Sequence, residues 1–229
     1  MLNNPDQVIL WQYDIIKINA TLAFTWVVMA LLAGGSFIIT RRLSVDAPIS
    51  RGQNLLEVIV GYVNQQIHEI SQQQPECYLP FIGTLFLYIF IANLLAVVPG
   101  YMPPTGSLST TTALALAVFI AVPFYGIRQV GLWEYVKRYC RPNIFMLPFN
   151  IIGEFSRTLA LAVRLYGNIM SGTVIAGILL SFTPLFFPIV MQVLGLLTGT
   201  IQAYIFSVLA MVYIASATAS TKKTFENNH

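Results

Sequence analysis

The chain has 229 residues, of which 56% are hydrophobic and only 9% charged, with a mean hydropathy of +0.71. A soluble domain carries about 25% charged residues, so this chain lacks the polar surface that water demands, and its solvent is the lipid bilayer. Twelve Lys and Arg against nine Asp and Glu leave a net charge of +3; charges of both signs are scarce, which excludes a disordered tail and gives no basis for a nucleic-acid partner.

The first 17 residues are polar and acidic (Asp6, Asp14) where a cleavable signal opens with positive charge. The chain is therefore expected to keep its own N-terminus. Residues 18–40 carry no charge and are followed at once by Arg41, Arg42 and Arg51. That is a first span whose end faces the cytoplasm, with the N-terminus outside. In residues 53–74, Leu55, Leu56, Ile59, Val60, Val63 and Ile67 recur at helical spacing among Glu57, Asn64, Gln65, Gln66 and Glu69. This pattern predicts an amphipathic helix at the inner membrane surface.

Residues 78–98 form a second span and 107–127 a third, separated by a dense turn cluster from Pro99 to Gly106. That loop is outside, because the next one carries Arg128, Lys137, Arg138 and Arg141, again the inside signature. The remaining apolar region is broken only near Pro184 and Pro188 and makes two helices, over 150–181 and 189–219. Each is about 45 Å long at 1.5 Å per residue, against a hydrocarbon core of about 30 Å. A strongly tilted, nearly horizontal hairpin follows. Lys222 and Lys223 put the C-terminus inside. The expectation is an all-α integral membrane protein: five membrane helices plus an amphipathic surface helix, in a single membrane domain over 1–229, with no internal repeat.

Three ionisable residues stand out against the apolar background. Glu154 and Arg157 lie near one end of the fourth span, three residues apart on one face, and fit a structural ion pair as well as a functional one. Arg164 lies two turns further along, and no Asp or Glu occurs between Phe155 and Phe225. An arginine at membrane depth costs at least about 2.5 kcal/mol. Ala160, Gly167, Asn168 and Ser171, one or two turns away, are small or polar, so another helix can approach closely and water has room. A guanidinium stays charged in a protein. Arg164 is thus a permanent cation awaiting a carboxylate from a partner.

The last helix carries Gln192, Gly195, Gly199, Gln202 and Phe206 at three-to-four-residue spacing. This stripe suits close packing, and Gln202, as a buried amide, needs partners for which the arginine helix is the obvious source. Asn93 and the threonines at 110–112 could line an aqueous path, although the threonines fit backbone bonding better. Cys77 and Cys140 are isolated, which excludes a disulfide framework and a zinc site, and no metal or cofactor is expected. His68 and His229 lie outside the spans, so a hydrolytic or metal centre has no base or ligand set. A self-sufficient transporter of an anionic substrate, with Arg164 as its anion site, is the other class; the lack of an inverted repeat counts against it.

The run Arg164, Leu165, Tyr166, Gly167, Asn168, with Ser156 and Arg157 upstream and residues 201–206 in the last helix, resembles subunit a of the rotary F-type ATP synthases. Asn93 to Pro99 and Pro148 to Glu154 are similar to the same family at matching places, so the likeness covers nearly the whole chain. It implies a bacterial inner-membrane stator that holds no ATP site, beside a ring of c subunits and a peripheral stalk with subunit b. Two offset half-channels would deliver ions to the ring carboxylates and Arg164 would separate them. Asn168, Gln202, Asn93, Thr173, Glu154, Arg157 and Ser156 would line the channels. Ala160, Gly167, Ser171, Gly195 and Gly199 would form the close-approach face. Thr173, Gly195 and Ala96 stand where many or some relatives carry a titratable group, so the coupling ion, H⁺ by family frequency, has Na⁺ as its alternative.

Overall fold

A computed structural model describes residues 9–13, 16–41, 51–71, 75–98, 100–139, 146–182 and 187–218. It is nearly all helical. The helices are α1 (Ala20–Thr40), α2 (Arg51–Ser71), α3 (Leu79–Leu94, continued by a 3-10 turn Leu95–Val97), α4 (Leu108–Val130), α5 (Leu132–Tyr139), α6 (Met146–Phe182) and α7 (Phe187–Thr218). Five of them are long and apolar enough to cross a membrane, over Ala20–Ile38, Leu79–Val97, Leu108–Gln129, Leu147–Ser181 and Ile189–Thr218. Arg42, residues 72–74, the break at 183–186 and the closing Lys222 and Lys223 lie outside the described residues.

Two elements depart from the sequence expectation. A short antiparallel hairpin, β1 (Ile9–Tyr13) with β2 (Ile16–Asn19), precedes α1, with Gln12 opposite Lys17 in its register. Helix α5 occupies what the charge pattern marked only as an inside loop. It is set off from α4 by Gly131, whose φ of +89° is open to a residue without a Cβ. The Gly131 N–H still donates to Ile127 O at 2.8 Å, closing the end of α4.

The two helices of the arginine hairpin run longer than the sequence indicated. Helix α6 has 37 residues and α7 has 32, about 55 and 48 Å at 1.5 Å per residue. Helix α7 forms the centre. Its Ala203, Phe206, Ala210 and Ile214 are fully buried at helical spacing, a stripe that packs against α3, α4 and α6. Helix α3 contributes Ile89 and Ala92 to this core, and α6 contributes Leu161 and Leu165.

Helix α2 is amphipathic as its spacing predicts: Val63 and Ile67 are buried, while exposed Gln65 bonds Glu69 one turn on at 2.9 Å. Its Gln66 Oε1 accepts a 2.9 Å hydrogen bond from the Tyr204 hydroxyl, which pins the surface helix to α7. The Tyr78 hydroxyl donates to Gln129 Oε1 at 2.9 Å, tying the start of α3 to the end of α4.

Candidate functional site: the open face of the arginine helix

Helix α6 has two faces of opposite character. Leu161, Ala162 and Leu165 turn into the core. Ala160, Arg164 and Ser171 are exposed, Gly167 and Asn168 are half-buried, and Leu159 and Val163 lie bare beside them. Added Cβ atoms at Gly167 and Gly172 would meet open space. The facing part of α7 is equally uncovered, with Val193, Leu194, Leu197 and Ile201 exposed.

Arg164 sits in the middle of this apolar expanse and makes no hydrogen bond, ion pair or ring contact among the described residues. The hydroxyls around it bond their own helix: Ser171 Oγ donates to Asn168 O at 3.1 Å, and Thr173 Oγ1 to Met170 O at 2.9 Å. None supplies the negative charge that a guanidinium at this depth requires. Thr111 likewise bonds back to its helix, at Leu108 O, as its setting in α4 suggested.

The glycine stripe of α7 divides. Gly199 packs against α3. An added Cβ there would lie 3.0 Å from Asn93 Cβ and 3.2 Å from its Nδ2. That approach lets Asn93 Nδ2 donate to Gly199 O at 3.0 Å, while Asn93 Oδ1 accepts from Thr105 Oγ1 at 2.9 Å. Thr105 is fully buried. One amide thus joins α3, α7 and the loop between α3 and α4, and Thr105 is a partner that sequence reasoning missed; a threonine in a turn cluster carries no signal of a bond to a residue twelve positions back.

Gly195, one turn before Gly199, has open space around it. Gln192 reaches α3 as well, its Nε2 donating to Val97 O at 3.0 Å. Gln202 is buried, and its Nε2 has no hydrogen-bond partner among the described residues. A buried donor left so is costly unless water or a partner satisfies it.

At the end of the hairpin where α6 begins, a cleft of about 300 Å³ opens between α5, α6 and α7. Its walls include Tyr135, Asn150, Gly153, Glu154, Arg157 and Ser216, polar enough and large enough to hold several waters. Arg157 lies over the Tyr213 ring, 5.7 Å from its centroid, and makes no ion pair with Glu154. Ser156 is exposed on the same stretch of α6. Tyr135 and Ser216 were absent from the sequence expectation; they come from elements distant in the chain.

Fold and site together define a multi-pass helical membrane protein with a cation, Arg164, unpartnered among the described residues on an uncovered helical face. The family model described as "ATP synthase A chain" matches residues 22–215. The chain is 62% identical over 224 residues to ATP synthase subunit a 2 of Acaryochloris marina, covering 98% of this chain and 96% of the relative. It is 62% identical over 215 residues to ATP synthase subunit a 1 of Prosthecochloris aestuarii, covering 94% and 96% of the two chains. With ATP synthase subunit a of Nitrosospira multiformis the identity is 60% over 216 residues, covering 94% and 86%. The chain belongs to the ATP synthase A chain family, subunit a of the F-type ATP synthases, in its bacterial form.

Proposed function

We propose that this chain is the Fo stator that passes protons to and from a rotating ring of carboxylate-bearing c subunits through two offset half-channels, coupling ion flow to ATP synthesis or hydrolysis. The observation that carries the proposal is Arg164: a fixed cation, exposed on a bare face of α6, with no counter-charge among the described residues. A ring carboxylate passing that face supplies the counter-charge. The guanidinium favours its ionised form and prevents a proton from crossing directly between the half-channels.

The inner half-channel is the cleft with Glu154 and Arg157, and Ser156 lies beside it. The outer one is lined by Asn168, Thr173 and Gln202, whose buried unpaired amide suits contact with water or a passing ion. Asn93 serves this path by holding α3 and α7 together, since both ends of its amide are committed. Ala160, Gly167 and Ser171 on α6, with Gly195 on α7, leave room for the ring helices. Gly199 supports that face from behind.

Helices about 55 and 48 Å long exceed a hydrocarbon core of about 30 Å, and a strong tilt along the ring's wall accommodates them. The chain then forms one unit of the bacterial inner membrane, N-terminus outside and C-terminus in the cytoplasm, with subunit b of the peripheral stalk as a further partner. A stand-alone transporter is not favoured by the family.

The outer path offers hydroxyl, amide and carbonyl oxygens and no carboxylate, with Thr173 and Gly195 where many relatives carry titratable groups. That donor set also suits Na⁺, the second reading of the coupling ion. ATP-driven acidification of vesicles bearing the assembled complex in Na⁺-free buffer tests both parts. The native complex acidifies the vesicles and Arg164→Ala abolishes this. Normal pumping by the variant overturns the stator role, and a strict need for Na⁺ overturns the proton.

A further inference from the structure

We infer that α5 forms the wall of the cleft's mouth and that Tyr135, seated on Gly126, is the positioning residue that sets how wide this mouth stands. The inference rests on reading the cleft as the inner half-channel, and it adds a part of the chain that the charge pattern marked only as a topological loop.

The geometry begins at Gly126, in the last turns of α4 and buried. A Cβ added there would lie 2.6 Å from Tyr135 Cε2 and 3.0 Å from Cδ2. The ring edge therefore rests on bare backbone, a contact that only glycine permits. An aromatic ring has two torsions and no flexible end to swing aside, so any side chain at 126 moves the ring and, with it, α5.

The turn that delivers the ring is equally specific. Gly131 takes φ +89°, and the Tyr135 N–H donates to Gly131 O at 3.1 Å, which fixes Tyr135 one turn beyond the reversal. Tyr135 is buried although its neighbours Leu132 and Trp133 are 63% and 80% exposed. Helix α5 thus turns Tyr135 inward, and that residue stands in the cleft wall with Glu154, Arg157 and Ser216.

The positions of Glu154 and Arg157 are set by α6, and Ser216 by α7. Both are long helices anchored in the core through Leu161, Leu165, Ala210 and Ile214. The eight-residue α5 is the shortest of the three walls, and the seat at Gly126 ties it to α4. A shift of Tyr135 widens or narrows the mouth while Arg164, on the core-anchored part of α6, stays in place.

The test uses the assembled complex in inside-out vesicles, with Cys77→Ser and Cys140→Ser replacing the native thiols and Gly153→Cys placed in the cleft, where an added Cβ meets open space. Reaction of this cysteine with a small and with a bulky impermeant methanethiosulfonate reagent is timed, and pumping is followed. The small reagent is expected to react and to block pumping. Adding Tyr135→Ala should raise the bulky-to-small rate ratio severalfold, and Gly126→Ala should change that ratio while subunit content of the membrane holds. Pairing Gly126→Ala with Tyr135→Ala should match Tyr135→Ala alone, because the clash is gone. If Gly153→Cys fails to react, or reacts without effect on pumping, the reading of the cleft as a half-channel falls and this inference with it. If it reacts and blocks pumping but the ratio is the same in all variants, the cleft reading stands and the role of Tyr135 is overturned.

Discussion

Helices α3 and α6 are both long and apolar, and both are read as spans from hydropathy alone, yet they stand in the molecule in opposite ways. A third of α3's most apolar stretch is buried within the chain, against 6% for α6. Helix α3 is a core element, its Ile89 and Ala92 sealed and its Asn93 amide bonded on both sides. Helix α6 anchors itself through Leu161, Ala162 and Leu165 and leaves its opposite face open, with Arg164 exposed on it. Hydrophobicity thus names the solvent and not the neighbour: the same composition serves a helix that packs inside its own chain and one that offers its surface to something else.

Helix α7 carries both behaviours within one turn, and that makes the comparison testable. Gly199→Leu sets a side chain against Asn93, where the added Cβ alone would lie 3.0 Å from Asn93 Cβ. Overpacking of this kind costs about 1–3 kcal/mol. Gly195→Leu meets open space and should not lower stability, while impairing pumping by crowding the ring. Both changes gain similar helix propensity, so the difference isolates the contact. Thermal inactivation of the complex and its pumping rate are the two readouts. Equal stability losses would erase the distinction between the two faces.

A smaller effect is expected at Tyr101, in the loop between α3 and α4. Burial raises its phenol above the ordinary tyrosine value, with nearby Tyr88 adding to the shift. The folded chain therefore holds this proton more tightly than the unfolded one. The sign follows: the contribution is fully present below about pH 10, the unfolded value, and is lost as pH rises toward the higher folded value. Tyr101→Phe, which removes a hydroxyl with no hydrogen-bond partner among the described residues, should flatten the alkaline loss of stability and leave neutral stability little changed. An unaltered alkaline limb would place that loss elsewhere.

The spans and the prominence of Arg164 were legible in sequence because both depend on local chemistry: the run of apolar residues, and one charge where none belongs. Boundaries shifted by a few residues: α6 begins about a turn earlier and α7 two residues earlier, and Pro148 and Pro188 sit within their first turns and do not interrupt them. The β1–β2 hairpin and α5 were not legible. The first is a pair of strands of five and four residues, too short for a periodicity to show, and the second is eight residues whose buried Tyr135 depends on a glycine in another helix.

Gly195 and Gly199 give the sharpest case. They form one Gly-x-x-x-Gly signal, and sequence supplied no means of knowing that one would meet Asn93 and the other open space. Asn93 was expected on a water path, and its amide joins α3, α7 and Thr105; no periodicity in the chain encodes a bond from residue 93 to residue 199. Likewise the proximity of Glu154 and Arg157 suggested an ion pair, but Tyr213 on the neighbouring helix takes the guanidinium instead.

The central claim is that the bare face of α6 meets the carboxylate-bearing helix of a ring subunit. Disulfide crosslinking in the assembled complex tests it most directly, using single cysteines at Ala160, Gly167 and Ser171, and at the buried Leu161 and Leu165, each paired with cysteines flanking the ring carboxylate. Crosslinks are expected from the first three and none from the last two. Crosslinks from Leu161→Cys and Leu165→Cys, or from none of the five, would contradict it.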